Sequence, residues 1–370
     1  MIELLSQYAP TARGHVDQSL LGKINRLREE LNTQYARSQT ESSPVASSIN
    51  SGAIVMKEQE LARTLRDVSA TDPEYVSLQQ VSIATLDSVQ RILPEQTTLI
   101  EYFTTGDEVL VFVISSDSAQ VVRRVCPATR AISLQERLGF QLEKFMLGGD
   151  YVTTHADQIL ESTKRHLHAL YRSLVAPFVE LVTTSHLVIV PHGSLHFVPF
   201  HALYDGENYL IDEFEVSYAP SASILKYCLE KQPVPDCSPL LVQSVASHNN
   251  PMFSTFKLVD RSVTASDLFS MSCETNLVTL TGCELAGRDV TRPDDLLVLT
   301  RGFLYAGARS LLLGLWVVNE EATATLMSTF FEAWQSGEGK SAALRSAMLK
   351  IRDEYPNPLH WAPLVLVGNS

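Results

Sequence analysis

Cys283 is the residue of this sequence best placed for covalent chemistry. It follows the apolar, strand-like run NLVTLTG (276–282) and is itself followed by Glu284. Ligands bind beyond the carboxyl ends of strands in open α/β sheets, so this thiol is expected at a functional edge. Gly282 leaves room for a substrate to approach the backbone, and the Cys283 amide could donate a hydrogen bond to an oxyanion. The alternative is a buried, inert cysteine that ends a core strand.

A cysteine nucleophile needs a base, because the thiolate attacks and a free thiol has a pKa of about 8.5. His248 is the best candidate, since it follows the strand-like run QSVAS (243–247) and is expected at another strand end. By itself, a histidine after a strand is typical of a cap or a surface position. The predicted pair therefore depends on Cys283 and His248 together.

Three further histidines, His192, His196 and His201, cluster in VPHGSLHFVPFHAL (190–203). Two prolines prevent one continuous helix there and no HExxH motif exists, so a metal hydrolase that uses these imidazoles is only a third interpretation. The sequence has no Walker loop and no GxGxxG loop, and Ser194 lacks the GxSxG context of a serine hydrolase. We expect no cofactor and no metal.

The elements that would position these residues fall into three regions, of which residues 1–93 are the first. Apolar residues recur there at helical spacing, which predicts two antiparallel helices at 20–36 and 54–68, a polar loop between them and a short helix at 82–92. This region would be a helical hairpin or the tail of a repeat array.

Residues 94–182 change to a period of two, with β-branched and aromatic residues alternating with polar ones. The pattern predicts a three-stranded meander, followed by helices at 133–146 and 155–182. Together these elements would form one α/β unit.

Residues 183–370 carry short apolar runs separated by helical patterns, which is typical of strands buried on both faces of a parallel sheet. The predicted strands are 186–190, 214–219, 276–282 and 310–318, and the predicted helices are 221–230, 296–306, 322–335 and 340–354. The predicted fold class is therefore α/β, with a mostly parallel sheet flanked by helices.

Composition excludes several kinds of protein. The 370 residues carry 29 Lys and Arg against 42 Asp and Glu, a formal net charge of −13, so direct nucleic-acid binding is not expected. No apolar run reaches the roughly 18–20 residues of a membrane span, and the N-terminus lacks an export signal. Five scattered cysteines without a CxxC pair are typical of a reducing compartment, so we expect a cytoplasmic protein.

Five segments together resemble the CHAT family, caspase-like cysteine peptidases commonly attached to tetratricopeptide or other helical repeats. They are LVIVPHGSLHFVPFHAL, YLIDEFEVSYAPSASILK, LVTLTGCELAG, TRGFLYAGARSLLLGLWVVNEEATATLM and HWAPLVLVGNS. The resemblance covers residues 94–368 and implies a caspase- or separase-like sheet. In that scheme 94–182 is a catalytically silent half and 183–370 is the catalytic half.

The resemblance also implies a Cys/His dyad. The run TGCE (281–284) matches the family's small-small-Cys-Glu pattern, and ASH (246–248) matches its Ala-Thr/Ser-His pattern. In that scheme His248 deprotonates Cys283, while the Cys283 amide and a backbone amide after the histidine bind the oxyanion. Asn249 would supply that second amide, at a position where the family usually has glycine.

The end of the strand predicted at 310–318, with the loop after it, would border the substrate cleft. It carries Trp316, Asn319 and Glu320, of which Trp316 has packing as an alternative role, and Glu284 would lie beside them. One run departs from the family pattern, because SPLLVQSVASH (238–248) sets two expected parallel strands almost end to end. A parallel connection needs about a dozen residues or more.

The leading interpretation is a cysteine endopeptidase that cleaves a protein or peptide substrate through an acyl-thioester. Its helical region would control access or bind a regulatory protein partner. The alternative is a catalytically inactive caspase-like scaffold that acts as a protein-interaction module.

Overall fold

The computed structural model describes most of the chain from residue 84 onward and a few positions before it. The described residues are 23, 26–27, 30, 56–57, 60, 63–64, 84–144, 152, 154–232, 234, 239–242, 244–246, 254–258, 262–268, 271–280, 293–316 and 320–370. The chain divides into two units, one of Pro10–Ile83 and the other of Met1–Ala9 with Ala84–Ser370.

The smaller unit is helical at every position that the structure describes. These positions are 23, 26, 27 and 30 in a first stretch and 56, 57, 60, 63 and 64 in a second. Ion pairs link Lys23 to Glu60 (2.9 Å) and Lys57 to Glu30, so the two stretches pair in opposite order along the chain. The full lengths of the two predicted helices, and their relation to a repeat array, stay predictions.

The larger unit alternates strands and helices over most of its length. The described strands are β1 (Thr97–Thr105), β2 (Glu108–Ile114), β3 (Ala119–Pro127), β4 (His186–Val190), β5 (Glu215–Tyr218), β6 (Leu240–Leu241), β7 (Ser244–Ala246), β8 (Thr255–Lys257), β9 (Ser262–Thr264), β10 (Val278–Leu280), β11 (Ser310–Gly314) and β12 (Leu364–Gly368). The described α-helices are α1 (Leu86–Gln90), α2 (Ala128–Glu143), α3 (Ala156–Leu174), α4 (Leu210–Glu213), α5 (Ala222–Glu230), α6 (Ala265–Leu268), α7 (Pro293–Ala306), α8 (Glu320–Gln335), α9 (Lys340–Glu354) and α10 (Pro358–Trp361).

Nine of these strands form one sheet, in the order β3-β2-β1-β4-β5-β12-β11-β10-β6. The parallel pairs are β1–β4, β4–β5, β5–β12, β11–β10 and β10–β6, whereas β1–β2, β2–β3 and β11–β12 are antiparallel. The predicted fold class, an α/β protein with a mostly parallel sheet flanked by helices, is confirmed.

The first three strands form the predicted meander. β1 pairs antiparallel with β2 through a tight turn in which Gly106 adopts a φ of +59°, a conformation that favours glycine. β1 also pairs in parallel with β4, so residues 94–182 and the following residues share one continuous sheet. The division into a silent half and a catalytic half stays a prediction.

β12 joins two sets of strands that run in opposite directions. It is parallel to β5 and antiparallel to β11, with Ser310 beside Gly368 at one end and Gly314 beside Leu364 at the other. Two long helices, α8 and α9, and the short helix α10 lie between β11 and β12. The chain runs along the sheet in α8 and back in α9, so β12 starts at the edge where β11 ends. A strand that starts from that edge runs antiparallel to β11. β12 is absent from the predicted strands, although all five of its residues are buried.

The helices bury one face each against the sheet or against one another. In α3 the buried positions follow a helical stripe, at 159, 163, 167, 170 and 174. The largest fully buried side chains are Trp361, Tyr102, Phe200, Phe256, Phe303 and Phe330. Within the part of the chain that the structure describes, no helix combines the length and the apolar character that a bilayer crossing requires.

Gly368 provides a test of the β11–β12 junction. Its φ is +102°, and a Cβ atom at this position would lie 2.5 Å from the carbonyl oxygen of Arg309. We predict that Gly368→Ala lowers the free energy of unfolding by at least about 2 kcal/mol, because the backbone is strained and β11 must move. Urea unfolding followed by circular dichroism measures this change.

Gly139→Ala, in the interior of α2, is the matched control. No atom lies within 4 Å of the added methyl group, and alanine is the better helix former. This substitution should therefore raise the free energy of unfolding by about 0.5–1 kcal/mol. Similar changes from both substitutions would contradict the close approach at the junction.

Candidate functional site

Because β12 and β11 run in opposite directions, strands of the main sheet end at two opposite edges. An edge here is the line of strand ends, not an outermost strand. β1, β4, β5 and β12 end at the edge that we name the Tyr218 edge. β6, β10 and β11 end at the other, which we name the Leu280 edge. Ligands of open α/β sheets bind beyond the carboxyl ends of strands, and the sequence reaches Cys283 three residues after Leu280.

Most of the predicted site residues lie outside the described residues. They are Cys283, Gly282, Glu284, His248, Asn249 and Asn319. Glu320 is the first residue of α8, but its side chain also lies outside what the structure describes. The roles of these residues stay predictions, and the structure supplies the framework on either side of them.

The strand that precedes Cys283 is buried between two parallel neighbours. All three residues of β10 are buried, and the strand pairs with β11 on one side and with β6 on the other. The N–H of Val242 donates to the carbonyl oxygen of Thr279 at 3.0 Å, which places the end of β6 beside Leu280.

The strand that precedes His248 belongs to a different sheet. Only Gln243 separates Val242 from Ser244, which is far too short for a parallel crossover. The chain therefore leaves β6 at the Leu280 edge and enters β7, which pairs antiparallel with β8, as β8 does with β9. β7 thus begins at the edge where β10 ends, but it is not the neighbouring parallel strand that the family resemblance implies.

The small sheet of β7, β8 and β9 packs against α7. Phe256 of β8 contacts Phe303 of α7 edge-to-face, with 5.6 Å between the ring centroids, and both rings are fully buried. α7 is the first described element after β10. The small sheet therefore packs on the helix that follows the Cys283 segment in the sequence.

Trp316 follows β11 at the Leu280 edge and is half-buried. Its indole Nε1–H donates to the carbonyl oxygen of Leu359 at 2.9 Å, and the N–H of Leu315 donates to the carbonyl oxygen of Pro363 at 2.7 Å. These bonds fasten the end of β11 to α10 and to the start of β12. These bonds are compatible with the packing role of Trp316, and its predicted place at the border of a substrate cleft stays a prediction.

His360 is a further imidazole at the Leu280 edge, and sequence reasoning did not single it out. It lies on α10, and its ring centroid is 5.2 Å from that of Tyr355. Burial lowers the pKa of His360 below its ordinary value, so this imidazole is neutral at physiological pH. Its only sequence signal is its place in the family segment HWAPLVLVGNS.

The described cysteines are poor nucleophiles. Cys126, Cys228 and Cys273 are all buried. Burial raises the pKa of Cys126 and that of Cys228 to about 11, so both thiols are protonated at neutral pH. Cys237 and Cys283 lie outside the described residues.

The three histidines of 190–203 do not form a metal site. Among the described residues, which include all three, no group of three His, Cys, Asp or Glu side chains could hold a metal ion. The His192 ring packs against Phe103, with centroids 5.1 Å apart, and burial lowers the pKa of His196 to about 4. The metal-hydrolase interpretation of these histidines is therefore wrong.

His201 has both ring nitrogens occupied by the fold itself. Nε2 lies 3.0 Å from the carbonyl oxygen of Ala362, and Nδ1 lies 3.0 Å from the hydroxyl of Tyr218. A carbonyl oxygen only accepts, so Nε2 carries the proton and Nδ1 accepts from the Tyr218 hydroxyl. His201 thus ties its loop to β5 and to Ala362, the residue that directly follows α10.

The main sheet defines a mostly parallel α/β protein, and the candidate nucleophile, Cys283, follows its buried strand β10 in the sequence. The chain belongs to the CHAT domain family, whose pattern matches residues 164–261 and 245–369. The two matches overlap at 245–261, in the region of the small sheet. The family pattern therefore matches this chain as two overlapping runs, the second of which begins within β7.

Two mammalian proteins share part of this sequence. Tetratricopeptide repeat protein 28 of Mus musculus is 33% identical over 133 residues, and that of Homo sapiens is 31% identical over 133 residues. Each match covers 35% of this chain and 5% of the relative. The chain therefore spans a small part of the length of these relatives.

Two crystal structures of the Saccharomyces cerevisiae separase–securin complex are similar to this chain. The one at 3.0 Å has a TM-score of 0.49 at 10% identity and covers 84% of this chain and 31% of that chain. The one at 2.6 Å has a TM-score of 0.44 at 11% identity, with coverages of 95% and 40%. Both TM-scores are below 0.5, so the fold class is assigned from the strand order and strand directions of this chain and not from these two structures.

His201 gives a prediction for acid stability. Burial lowers its pKa to about 4, whereas the unfolded chain binds this proton at its ordinary pKa of 6.5. The unfolded state therefore binds more protons between pH 6.5 and 4, so stability that is present above pH 6.5 is lost as the pH falls to 4. At about 1.4 kcal/mol per pKa unit, the loss is on the order of 3 kcal/mol.

An NMR titration of the His201 ring, alongside urea unfolding at several pH values, checks this prediction. The ring should stay neutral at pH 5, with the Nε2–H tautomer throughout. A ring that titrates between pH 6 and 7 in the folded protein would contradict the buried hydrogen-bonded arrangement.

Proposed function

We propose that this chain is a cysteine endopeptidase in which Cys283 is the nucleophile and His248 is the general base. The observation that carries the proposal is the position of Cys283, three residues beyond a buried strand that lies between two parallel neighbours. Membership of the CHAT family supports it, because TGCE (281–284) and ASH (246–248) match that family's cysteine and histidine patterns and both lie within the matched residues.

The proposed reaction proceeds through an acyl-thioester. His248 takes the thiol proton, and the Cys283 sulfur attacks the scissile carbonyl carbon to give a tetrahedral oxyanion. The backbone amides of Cys283 and Asn249 would donate hydrogen bonds to this oxyanion. The C–N bond then breaks, and the leaving amine takes the proton from the imidazolium. Water, deprotonated by the same imidazole, hydrolyses the thioester and restores the thiol.

The described cysteines support Cys283 by elimination. A thiol with a pKa of about 11 supplies almost no thiolate at neutral pH, which applies to Cys126 and to Cys228. Cys273 is buried as well. Of the two cysteines outside the described residues, only Cys283 follows a strand of the main sheet.

A second candidate function is a catalytically inactive interaction module. The observation that favours it is the one-residue link between β6 and β7, which places the strand before His248 outside the main sheet. A Cys/His dyad requires the imidazole of His248, which follows a strand of the small sheet, to reach the sulfur of Cys283, which follows a strand of the main sheet. If it does not, His360, a described imidazole on α10 at the Leu280 edge, is a further candidate for the base.

We further propose that the substrate is a protein or peptide and that the helical region before residue 94 controls access or binds a protein partner. The name of the mammalian relatives, tetratricopeptide repeat protein, supports a connection with helical repeats. A cytoplasmic location is part of the same proposal and is supported by the five scattered cysteines, among which no CxxC pair occurs.

Peptide-library cleavage by the purified chain tests the proposal. Cys283→Ala should abolish cleavage while circular dichroism shows an unchanged fold, because the nucleophile is lost and only one sulfur atom is removed. Cys126→Ala is the matched control and should cleave normally. His248→Ala should lower the turnover number by about 100- to 10,000-fold, the range for loss of a general base.

His360→Gln separates the two imidazoles. Normal cleavage by this variant, with loss in His248→Ala, supports the proposed dyad. Loss in His360→Gln alone would overturn the assignment of the base, and unchanged cleavage by Cys283→Ala would overturn the proposal itself. A chain that cleaves no peptide and shows no selective labelling of Cys283 by thiol-reactive peptides would be the interaction module.

A further inference from the structure

β3 is an outermost strand of the main sheet, and its outer side is the side away from β2. Among the described residues, β2 is the only strand that pairs with it. Residues 119–121 are exposed, as are Arg123 and Arg124. An outermost strand presents unpaired N–H and C=O groups to solvent, which makes it a template for pairing with a further strand.

The hydrogen bonds of the β2–β3 hairpin show which backbone groups of β3 point outward. The Ser115 N–H donates to the carbonyl oxygen of Ser118 at 2.9 Å. Bonded pairs alternate with non-bonded pairs along an antiparallel ladder, so Ala119, Val121 and Arg123 direct their N–H and C=O groups away from β2. These three residues therefore offer six backbone groups to a further strand.

A bulge ends the regular part of β3. The register with β2 shifts beyond Val122, and Arg124 adopts a φ of +54°. The Arg124 N–H donates to the carboxylate of Glu108 at 3.1 Å, so this amide points back toward β2 and the carbonyl oxygen of Arg123 points outward. Bulges and charged side chains protect outermost strands from pairing. Both devices lie beyond Val122, so residues 119–122 have neither.

Val121 is the exposed apolar side chain at the centre of this stretch. It is 54% exposed. It stands opposite Phe112 of β2, which is half-buried on the same face of the sheet. Cross-strand contacts between such side chains stabilise a sheet, and on its outer side Val121 has no strand to contact. A further strand on that side would cover Val121.

The charges along this stretch are complementary to those of a second copy that runs in the opposite direction. Residues 119–124 include Arg123 and Arg124 and no carboxylate, whereas Asp117 is exposed in the turn before β3. The net charge of −13 opposes association of two copies in general. In an antiparallel pair of β3 strands, however, the cationic end of each copy lies beside the acidic turn of the other.

We propose that β3 pairs antiparallel with β3 of a second copy, about a two-fold axis at Val121, to form a symmetric dimer. This register sets Val121 opposite Val121 of the second copy and Arg123 opposite its Ala119. All six outward groups of each copy are then hydrogen-bonded. Arg123, which bonds Glu108 of its own chain at 3.3 Å, then also approaches Asp117 of the second copy.

The dimer leaves the proposed active site open. Seven strand spacings separate β3 from β10 in the main sheet, or about 34 Å. Dimerisation and cleavage can therefore be measured separately, and the dimer does not depend on the role of Cys283. The interface is a short pair of strands, and interfaces below about 1,200 Å² are typical of weak, transient complexes. We expect a weak dimer that forms as the concentration rises.

Sedimentation velocity of the full chain over a range of concentrations tests this proposal. The unmodified chain should shift from monomer to dimer as the concentration rises. Val121→Lys should weaken dimerisation at least about tenfold, because two like charges then face each other at the axis. Leu241→Lys is the matched control, since Leu241 is 48% exposed on β6, the outermost strand at the other end of the sheet, and should leave dimerisation unchanged. Circular dichroism checks that both variants fold.

Two charge variants test the antiparallel register. Arg123→Glu and Asp117→Lys each place like charges side by side, so each variant alone should dimerise more weakly than the unmodified chain. A mixture of the two variants should form a heterodimer, because opposite charges then meet at both contacts. A mixture that dimerises no better than either variant alone would overturn this register.

A chain that stays monomeric at every soluble concentration would overturn the dimer and leave the outer side of β3 to an extended segment of another protein. Dimerisation that Val121→Lys does not weaken, or that Leu241→Lys weakens equally, would overturn the assignment of the interface to β3.

Discussion

The pairing of β12 between β5 and β11 is the interaction on which the rest of the structure depends. It joins strands of opposite direction into one sheet, and it therefore sets two edges at which loops leave the sheet. The segment that carries Cys283 begins at one of these edges, directly after β10. The close approach of Gly368 to the backbone of Arg309 shows how tightly this junction is packed.

Much of the sheet could be predicted from local patterns, because short β-branched and leucine-rich runs are typical of buried strands. The run at 186–190 is a strand with the predicted bounds, the run predicted at 310–318 is a strand over 310–314 only, and the helix at 340–354 has the predicted bounds. The direction of β12 could not be predicted in this way. Periodicity reports which faces are buried, whereas direction depends on how many helices the chain forms before it returns to the sheet.

The candidate site shows the same limit. Cys283 and His248 can be selected from residue type and strand ends, but the path between them depends on tertiary structure. Only one residue, Gln243, separates Val242, at the end of β6 in the main sheet, from β7 in the small antiparallel sheet. The hydrophobic pattern of the sequence does not mark this change of sheet. Lys340 has the sequence context of an ordinary helix surface, and its burial arises only when α9 packs on the sheet.

The central claim is that the Cys283 sulfur is activated by the His248 imidazole. The rate of Cys283 alkylation by iodoacetamide, followed by mass spectrometry as a function of pH, tests it most directly. The account predicts rapid alkylation with a midpoint at least one pH unit below that of a free thiol, about pH 8.5, and a return toward that value in His248→Ala. A midpoint near 8.5 in both proteins, or a thiol that does not react, would contradict it.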